Sequence, residues 1–354
     1  MTRTTQPAIV HYALQPHAVE LRDVAVPEIG ADDVLLEVGA VSVCGSDVHQ
    51  SRNTHSWPVN VPVVLGHEFG GTVTQVGRDV RGFREGDRVV SETAAYICGE
   101  CPMCRTGRYN LCPSRKGFGY GVDGAMARWV KVPARCLHRI PDSLPFDIAC
   151  LAEPHAVAYQ AMCVNSTIRP GDLVVVLGPG PIGLLCARMA ALCGANPLVV
   201  AGLSADAKRL EAATRIGATR TVDVQTENLD EIVRGYSALG ADLVCDASGA
   251  SRPLEIALRL TRPDGQVTKV GWSPDTIPVD VNPLVQRNLR LQGSFSHNYP
   301  VWERVIHLLD RRLTLPETIV GLRAPLASWR DAFDAMHEGR VIKSVLLPGA
   351  STTT

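Results

Sequence analysis

The sequence has 354 residues, of which 45% are hydrophobic and 20% are charged, so it is long enough to form two domains with separate cores. Its formal net charge of -1 gives no large field of either sign, which makes nucleic acid and an anionic membrane poor candidates for partners. It contains neither an apolar run of about 18 residues nor an apolar N-terminal signal, so we expect a cytoplasmic protein.

The first part of the chain predicts short strands separated by turns. Residues 19–24 and 34–43 are rich in β-branched side chains, with Pro27 and Gly30 between them. Residues 73–76 continue the pattern. We therefore expect a β-rich first domain.

Two short polar blocks interrupt these strands. The first runs Cys44-Gly-Ser-Asp-Val-His49, and the second runs Gly66-His67-Glu68. A thiolate and an imidazole are both zinc ligands, and a site with only one thiolate leaves the ion a stronger Lewis acid than a site with four. The two blocks contribute to the family resemblance described below, which assigns them a role.

Four cysteines follow at closely spaced positions. They are Cys98, Cys101, Cys104 and Cys112. Short loops between them allow four thiolates to converge on one ion, which predicts a closed, structural zinc site. Two other interpretations compete with zinc. Disulfides seldom persist in a reducing compartment, and core cysteines would not alternate with charged residues such as Arg105.

The second half of the chain predicts a nucleotide-binding fold. The apolar run 173–177 is followed at once by a glycine-rich turn and by an apolar-periodic helix over 182–192. Glycines in a strand-to-helix turn permit a tight bend and the close approach of a pyrophosphate to a helix N-terminus. The candidate coenzyme-binding residues of this turn are Gly178, Gly180, Pro181, Ile182 and Gly183.

Strands and helices alternate after this turn. The predicted strands are 198–201, 219–222, 243–246 and 266–271, and the predicted helices begin at Asp206, Leu229 and Pro253. This alternation indicates a parallel, doubly wound sheet. Further on, the pattern predicts helices over 302–309 and 327–338, a strand that starts at Ile319 and a final strand over 343–347.

The end of the second strand of this alternation lacks an expected acid. NAD-selective proteins of this fold place a carboxylate there, which binds the ribose 2′-hydroxyl and repels a 2′-phosphate. This chain has Gly202 instead. Asp206 is one possible substitute, whereas Ser204, Lys208 or Arg209 could receive a phosphate. The sequence favours NAD over NADP only slightly.

These motifs together resemble the zinc-containing medium-chain dehydrogenases of the alcohol dehydrogenase superfamily, and in particular the branch that resembles sorbitol (polyol) dehydrogenases. The resemblance rests on the four-cysteine lobe, on Gly66-His67-Glu68 and on the glycine turn, and it covers nearly the whole chain. It implies an α/β protein with two domains. A GroES-like β-rich catalytic domain would span residues 1–156 and 294–354, with a structural zinc lobe at about 96–113. A Rossmann coenzyme domain would span residues 157–293.

The resemblance also implies the residues of the catalytic site. Cys44 and His67 match the family's ligands of the catalytic zinc, and Glu153, in Glu-Pro, matches the third ligand of the polyol branch. Glu68 is the other family carboxylate near the metal, and which of the two contacts zinc stays open. Glu153 could instead be a favourable acid at a helix N-terminus.

Ser46 and His49 match the groups that pass the alcohol proton outward in the family, although His49 could be an ordinary surface residue. The implied function is oxidation of a secondary alcohol, of the polyol type, to the ketone. The implied cofactors are NAD(P) and two zinc ions per subunit, one catalytic and one structural. We expect a small alcohol or polyol as the substrate. We also expect the protein to be a homo-oligomer, with a tetramer favoured over a dimer.

Three alternatives stay open at this point. One is an L-threonine-type 3-dehydrogenase, another is a general secondary alcohol dehydrogenase, and the third is a catalytically silent nucleotide-binding sensor. Where polyol enzymes of the family tend to have Arg-Tyr, this chain has Ser296-His297, so the substrate is not legible from the sequence.

Overall fold

The structure is a computed structural model that describes residues 4–250, 252–273 and 275–349. These residues form two compact units. The first unit consists of the described parts of Met1–Glu153 and His297–Thr354, and the second is the described part of Pro154–Ser296. Each unit has its own sheets and its own core.

The described residues contain strands and helices with the following bounds. The strands are β1 (Thr5–His11), β2 (Val19–Ala25), β3 (Asp33–Ser42), β4 (Val63–Val64), β5 (Glu68–Val76), β6 (Arg88–Ser91), β7 (Trp129–Pro133), β8 (Leu137–Arg139), β9 (Val174–Leu177), β10 (Leu198–Gly202), β11 (Arg220–Asp223), β12 (Ala241–Asp246), β13 (Thr261–Lys269), β14 (Arg290–Gly293), β15 (Val320–Pro325) and β16 (Lys343–Leu347). The α-helices are α1 (Gly45–Ser51), α2 (Pro102–Arg105), α3 (Phe146–Ala149), α4 (Ala152–Tyr159), α5 (Pro181–Leu192), α6 (Ala207–Arg215), α7 (Leu229–Tyr236), α8 (Arg252–Leu260), α9 (Asn282–Gln286), α10 (Tyr299–Asp310) and α11 (Trp329–His337). None of these helices is both long and apolar enough to cross a membrane.

The first unit is built around a seven-stranded sheet. Its strand order is β15-β16-β3-β5-β6-β8, with β7 paired to β3, and a separate three-stranded sheet has the order β2-β1-β4. Side chains in β3 alternate between buried and half-buried positions, as expected for a strand with one face on the core. Leu36 and Phe69 from the sheet and Phe333 from α11 belong to this core.

The second unit is a parallel sheet. Its strand order is β11-β10-β9-β12-β13-β14, and every described pair in it is parallel. All four residues of β9 are buried, because helices cover both faces of the central strands. The doubly wound parallel sheet predicted from the alternating pattern is confirmed.

Most predicted elements are present, with shifted ends. The final strand has the predicted bounds, and α7 starts at the predicted Leu229. The strand predicted over 266–271 is instead β13, which starts at Thr261 and ends at Lys269. The backbone N–H groups of Val270 and Gly271 both donate to the carbonyl of Asp246, at 2.9 and 3.0 Å. In a regular ladder each carbonyl accepts from one amide, so the regular pairing of β13 with β12 stops before these two residues.

Candidate catalytic and metal sites

The pairing of β3 with β5 brings the two polar blocks together. Ser42 and Glu68 are paired across these antiparallel strands, and Cys44 and His67 lie just outside the paired residues. The thiol sulfur of Cys44, a ring nitrogen of His67 and a carboxylate oxygen of Glu68 lie within 4.8 Å of one another. Gly66 has a φ of 96°, and an added Cβ would approach the backbone nitrogen of Met126 to 3.0 Å, so only glycine suits this turn.

Asp47 orients this group from the first turn of α1. One carboxylate oxygen, Oδ2, accepts a hydrogen bond from the backbone N–H of Cys44 at 2.8 Å. The other oxygen, Oδ1, lies 3.7 Å from Nδ1 of His67. A carboxylate beside one ring nitrogen of a histidine leaves the other nitrogen free to bind a metal ion. The sequence analysis did not assign this contact, although an acid in the first helical turn was the available signal.

The pKa of His67 shows the electrostatic character of this group. Burial would lower the pKa, but the carboxylate of Asp47 and the thiol of Cys44 raise it well above the ordinary value. Oδ1 of Asp47 and Nδ1 of His67 are buried and make no hydrogen bond of normal geometry to the described residues. A thiol, an imidazole and carboxylates gathered in this way fit a zinc ion, which accepts S, N and O ligands.

Glu68 is held by a buried lysine. Nζ of Lys343 lies 2.8 Å from Oε1 and 2.6 Å from Oε2 of this carboxylate, and the hydroxyl of Ser42 also donates to it. Burial would lower the pKa of Lys343, but Glu68 raises it. Lys343 therefore stays protonated inside the core. No local sequence pattern predicts this pair, since the two residues are 275 positions apart.

Glu153, in the first turn of α4, is not one of the three residues that form the Cys44 group. Its Oε1 accepts hydrogen bonds from the hydroxyl of Thr93 at 3.2 Å and from Nε2 of His297 at 3.1 Å. Burial would raise the pKa of Glu153, but His297 and the nearby charges, His67 among them, lower it to about 2. Glu153 is thus an ionised, buried carboxylate within electrostatic range of His67. That one of the two carboxylates, Glu68 or Glu153, contacts the metal remains a prediction.

The two predicted relay residues lie on α1. Ser46 is half-buried and His49 is exposed. Nδ1 of His49 is 2.8 Å from the hydroxyl of Thr54, and burial together with the nearby His337 lowers its pKa. A histidine at the surface can exchange protons with water, as the end of a relay must. The relay itself stays a prediction.

The four closely spaced cysteines form a second group. Their sulfurs all lie within 4.8 Å of one another, with 3.9 Å between Cys98 and Cys104 and 3.6 Å between Cys98 and Cys112. Tetrahedral zinc with Zn–S bonds of about 2.3 Å places its sulfurs about 3.8 Å apart. These distances fit one shared ion and are far too long for disulfides, and the cysteines are free.

The pKa values of these thiols also favour a cation. The backbone N–H groups of Cys101 and Glu100 lower the pKa of Cys98 to about 7. Burial and hydrogen bonds to neighbouring thiols raise the pKa of Cys104 to about 12. Four crowded sulfurs therefore do not all ionise by themselves. A divalent ion would favour all four thiolates at once.

In the second unit, the glycine turn lies between β9 and α5. Gly178 has a φ of 92°, and an added Cβ would come within 2.8 Å of the backbone of Ser248. A Cβ on Gly183 would meet the carbonyl oxygen of Gly178 at 1.8 Å. Gly180 has open space at its Cβ position, and Pro181 and Ile182 begin α5. This turn can therefore admit a pyrophosphate at the N-terminus of α5.

Gly202, at the end of β10, has no room for a side chain. An added Cβ would meet the ring of Pro179 at 2.7 Å and Cβ of Asp206 at 3.3 Å. The packing around Gly202 therefore excludes an acidic side chain at this position. Asp206 instead accepts a hydrogen bond from the N–H of Leu203 at 3.1 Å.

A second carboxylate lies beside Gly202, on β11. Asp223 is the residue paired with Gly202 in the parallel ladder, and its Oδ2 accepts a hydrogen bond from the hydroxyl of Ser204 at 2.6 Å. Arg209 is paired with Asp206 at 2.7 Å, and Lys208 is exposed on α6. Sequence reasoning missed Asp223, because strand pairing alone brings it to this place.

Comparison with known proteins shows what the whole chain is similar to. Residues 30–142 match the alcohol dehydrogenase GroES-like domain, and residues 181–311 match the zinc-binding dehydrogenase domain. D-arabitol-phosphate dehydrogenase of Enterococcus avium is 39% identical over 92% of each chain. Sorbitol dehydrogenase of Halalkalibacterium halodurans is 36% identical over 97% of this chain and 98% of the relative. L-threonine 3-dehydrogenase of Anaeromyxobacter dehalogenans is 35% identical over 92% and 93%.

A solved structure gives the same result. A zinc-binding dehydrogenase from Sinorhizobium meliloti bound to NADP superimposes with a TM-score of 0.89 at 29% identity, covering 98% of this chain and all of that one. The chain belongs to the zinc-type medium-chain dehydrogenase family. It is an NAD(P)-dependent oxidoreductase of the alcohol dehydrogenase class, with the predicted GroES-like and Rossmann architecture.

The four-cysteine group generates the first prediction. The Cys101→Ser variant should lose one zinc per chain, because three thiolates bind the ion less well than four, and the lobe should become less stable. Zinc content by elemental analysis and melting temperature check this. Cys136→Ser is the control, since that cysteine is buried in the same unit and belongs to neither group. Unchanged zinc content in Cys101→Ser would contradict a metal at this lobe.

Proposed function

We propose that this enzyme oxidises a secondary hydroxyl of a polyol or polyol phosphate to the ketone, with Cys44 and His67 holding a catalytic zinc ion. The observation that carries this proposal is the group formed by Cys44, His67 and Glu68, whose ligand atoms lie within 4.8 Å of one another. It differs from the four-cysteine group in having a single thiolate. Such a donor set leaves zinc its Lewis acidity, whereas four thiolates suit a structural site.

The protein's own groups then have separate tasks. When bound, zinc raises the acidity of a coordinated hydroxyl, and NAD(P) accepts the hydride at C4 of its nicotinamide. Asp47 keeps Cys44 and His67 in place, and Lys343 neutralises Glu68. We propose that Ser46 takes the hydroxyl proton and that His49 passes it to water, because His49 is exposed and Ser46 lies three residues before it on α1.

The proposed substrate class rests on the similarity to two polyol enzymes. The relatives at 39% and 36% identity act, by their names, on D-arabitol phosphate and sorbitol. The similarity to an L-threonine 3-dehydrogenase at 35% makes threonine the second candidate. Threonine carries a carboxylate, which would need a basic partner near the metal group. Lys343 is already paired with Glu68 there, so the metal group suits a substrate whose reacting end is uncharged, as in a polyol, better than threonine, whose carboxylate lies close to the reacting hydroxyl.

The second prediction tests the catalytic site. The Cys44→Ser variant should lose at least about 100-fold in kcat/KM, since loss of a ligand exceeds the roughly 10- to 100-fold effect of an outer contact. Its fold and the zinc of the four-cysteine group should be retained. The measurement is NADH or NADPH formation with sorbitol, arabitol, arabitol phosphate and L-threonine, alongside zinc content and circular dichroism.

The control for this experiment is Cys136→Ser, which should keep both zinc ions and its activity. Full activity in Cys44→Ser would disprove the assignment of the catalytic site. Turnover of L-threonine in preference to every polyol would disprove the substrate class while leaving the metal site intact.

We also propose that NAD is the preferred coenzyme. The end of β10 carries no acid at Gly202, but the carboxylates of Asp206 and Asp223 lie around it. The hydrogen bond from Ser204 lowers the pKa of Asp223, so this group stays ionised. Arg209 is already paired with Asp206. A 2′-phosphate would therefore be repelled by the carboxylate of Asp223, whereas a 2′-hydroxyl could donate a hydrogen bond to it.

The third prediction concerns this coenzyme preference. The wild-type enzyme should have a higher kcat/KM with NAD than with NADP. In Asp223→Asn, the ratio of kcat/KM with NAD to kcat/KM with NADP should fall by about tenfold, roughly the effect of one charge-assisted hydrogen bond. Steady-state kinetics with both coenzymes check this. Asp230→Asn is the control, because Asp230 is an acid of the same unit that pairs with Arg259. A wild-type preference for NADP, the coenzyme in the Sinorhizobium structure, would contradict the proposal.

We further propose that the enzyme is a homo-oligomer in which β14 pairs with β14 of a second copy. This strand is the edge of the parallel sheet, and all four of its residues are exposed. Exposed apolar side chains lie on this strand and just beyond it: Leu291 in the strand is 42% exposed, and Trp272, which is 58% exposed, packs on Phe295 two residues after the strand ends. An exposed edge with apolar neighbours is a typical site of strand pairing between copies, and two dimers of this kind would form the expected tetramer.

The fourth prediction tests this interface. The Leu291→Asp variant should form a smaller species than the wild type, because a charge would be buried at the edge without a partner. Light scattering after size-exclusion chromatography measures the mass. Leu239→Asp is the control, since Leu239 is 66% exposed and lies in the same unit away from β14 in the sheet order. A monomeric wild type would contradict the proposal.

A further inference from the structure

His297 is buried beside the candidate catalytic carboxylate. It lies between β14 and α10 in the chain, and only 1% of it is exposed. Its ring meets the ring of Trp302 edge-on, with 5.1 Å between the centroids. Its position is also the one at which the sequence departs from the Arg-Tyr pair of polyol enzymes. A buried histidine in this place needs a role for both of its ring nitrogens.

Trp302 fixes which nitrogen of His297 carries the proton. Its Nε1 is 2.7 Å from Nδ1 of His297. An indole N–H can only donate a hydrogen bond, so Nδ1 of His297 must be the acceptor. In the neutral ring, the proton is therefore on Nε2. This assignment follows from the chemistry of the partner, and it makes Nε2 a donor.

Nε2 of His297 is directed at the carboxylate of Glu153. It lies 3.1 Å from Oε1 of Glu153 and 3.2 Å from the hydroxyl of Thr93, which in turn donates to the same Oε1 at 3.2 Å. Both of these hydrogen bonds end on Oε1. They hold the carboxylate in one orientation, and neither of them uses its second oxygen, Oε2.

The electrostatic surroundings of Glu153 identify a candidate partner for Oε2. Glu153 and His67 shift each other's pKa values, so their charges interact through the buried interior. Glu153 is only 7% exposed, and a buried carboxylate needs partners for both of its oxygens. A metal ion at Cys44 and His67, or a water molecule on that ion, could supply the partner of Oε2.

We propose that His297 is a positioning residue of the catalytic site, which holds Oε1 of Glu153 and so reserves Oε2 for the catalytic metal ion or its water. Trp302 acts one step further out, by keeping the proton on Nε2 of His297. The inference rests on the proposed function, because it assigns a task to Glu153 in that site.

The fifth prediction compares two amides at this position. In His297→Gln, the side-chain amide reaches far enough to donate to Glu153 in place of Nε2. In His297→Asn, the amide is one methylene shorter, so it keeps a partner for Trp302 and loses the donor to Glu153. We expect the Asn variant to lose about 10- to 100-fold in kcat and in affinity for the second zinc, and the Gln variant to recover most of both.

The matched control is His138→Asn. His138 is also fully buried, and its ring stacks on the same indole of Trp302 at 5.5 Å. It contacts Glu92 and Glu303 instead of Glu153. Its substitution should lower the melting temperature and leave kcat and the affinity for the second zinc unchanged.

Zinc affinity is measured by native mass spectrometry of each full-length variant across a series of chelator-buffered zinc concentrations, and kcat and the KM for coenzyme are measured separately. Loss of zinc affinity and kcat in the Asn variant, with an unchanged KM for coenzyme and recovery by Gln, supports the proposal. Equal behaviour of the Asn variant and wild type overturns it, as does an equal loss in His138→Asn. A wild type without zinc-dependent turnover overturns the proposed function and this inference together.

Discussion

The antiparallel pairing of β3 with β5, closed by a buried ion pair, is the constraint on which the candidate catalytic site depends. The register places Glu68 opposite Ser42. Lys343 lies on β16, a strand far from Glu68 in the sequence, and it neutralises Glu68 inside the sheet. Removing one member of a buried pair leaves an uncompensated charge, at a cost of about 3–5 kcal/mol. The strand ends that carry Cys44 and His67 are therefore held together by backbone hydrogen bonds and by a charge pair that tolerates little change.

Each functional group of the first unit is held by a partner from another part of the chain. Asp47 supports Cys44 and His67 from α1, and Thr93 and His297 hold Glu153. These supporting groups are buried, so the low local dielectric strengthens their hydrogen bonds and makes any missing partner costly. Side chains fixed in this way are ready for a metal ion before it binds. Catalysis by a metal-bound hydroxyl requires ligands that are held in place before the metal ion binds.

In the second unit, steric exclusion determines which positions of the glycine turn and the neighbouring strand end must be glycine. The glycines at 178 and 183 leave space for backbone contacts that any Cβ would block. Gly202 is glycine for a similar reason, because Pro179 occupies the place of its side chain. The carboxylates near the strand end therefore come from Asp206 and from Asp223 on the neighbouring strand. The packing that requires glycine at 202 thus leaves the negative charges at this strand end to other residues.

The sequence by itself determined the two-domain α/β fold and the glycine turn and predicted the four-cysteine group, because each of these depends on short spacing or on hydrophobic periodicity along the chain. The group of Cys44 and His67 was predicted from the family resemblance, and the pairing of β3 with β5 brings it together. Only the tertiary structure decided which partners hold these groups: Lys343 on Glu68, His297 on Glu153 and Asp223 beside Gly202. It also separated Glu153 from the group of Cys44, His67 and Glu68. The physical reason is that hydrogen bonds and ion pairs act between side chains over a few ångströms. Strand pairing and burial bring such side chains together from positions that no local pattern connects.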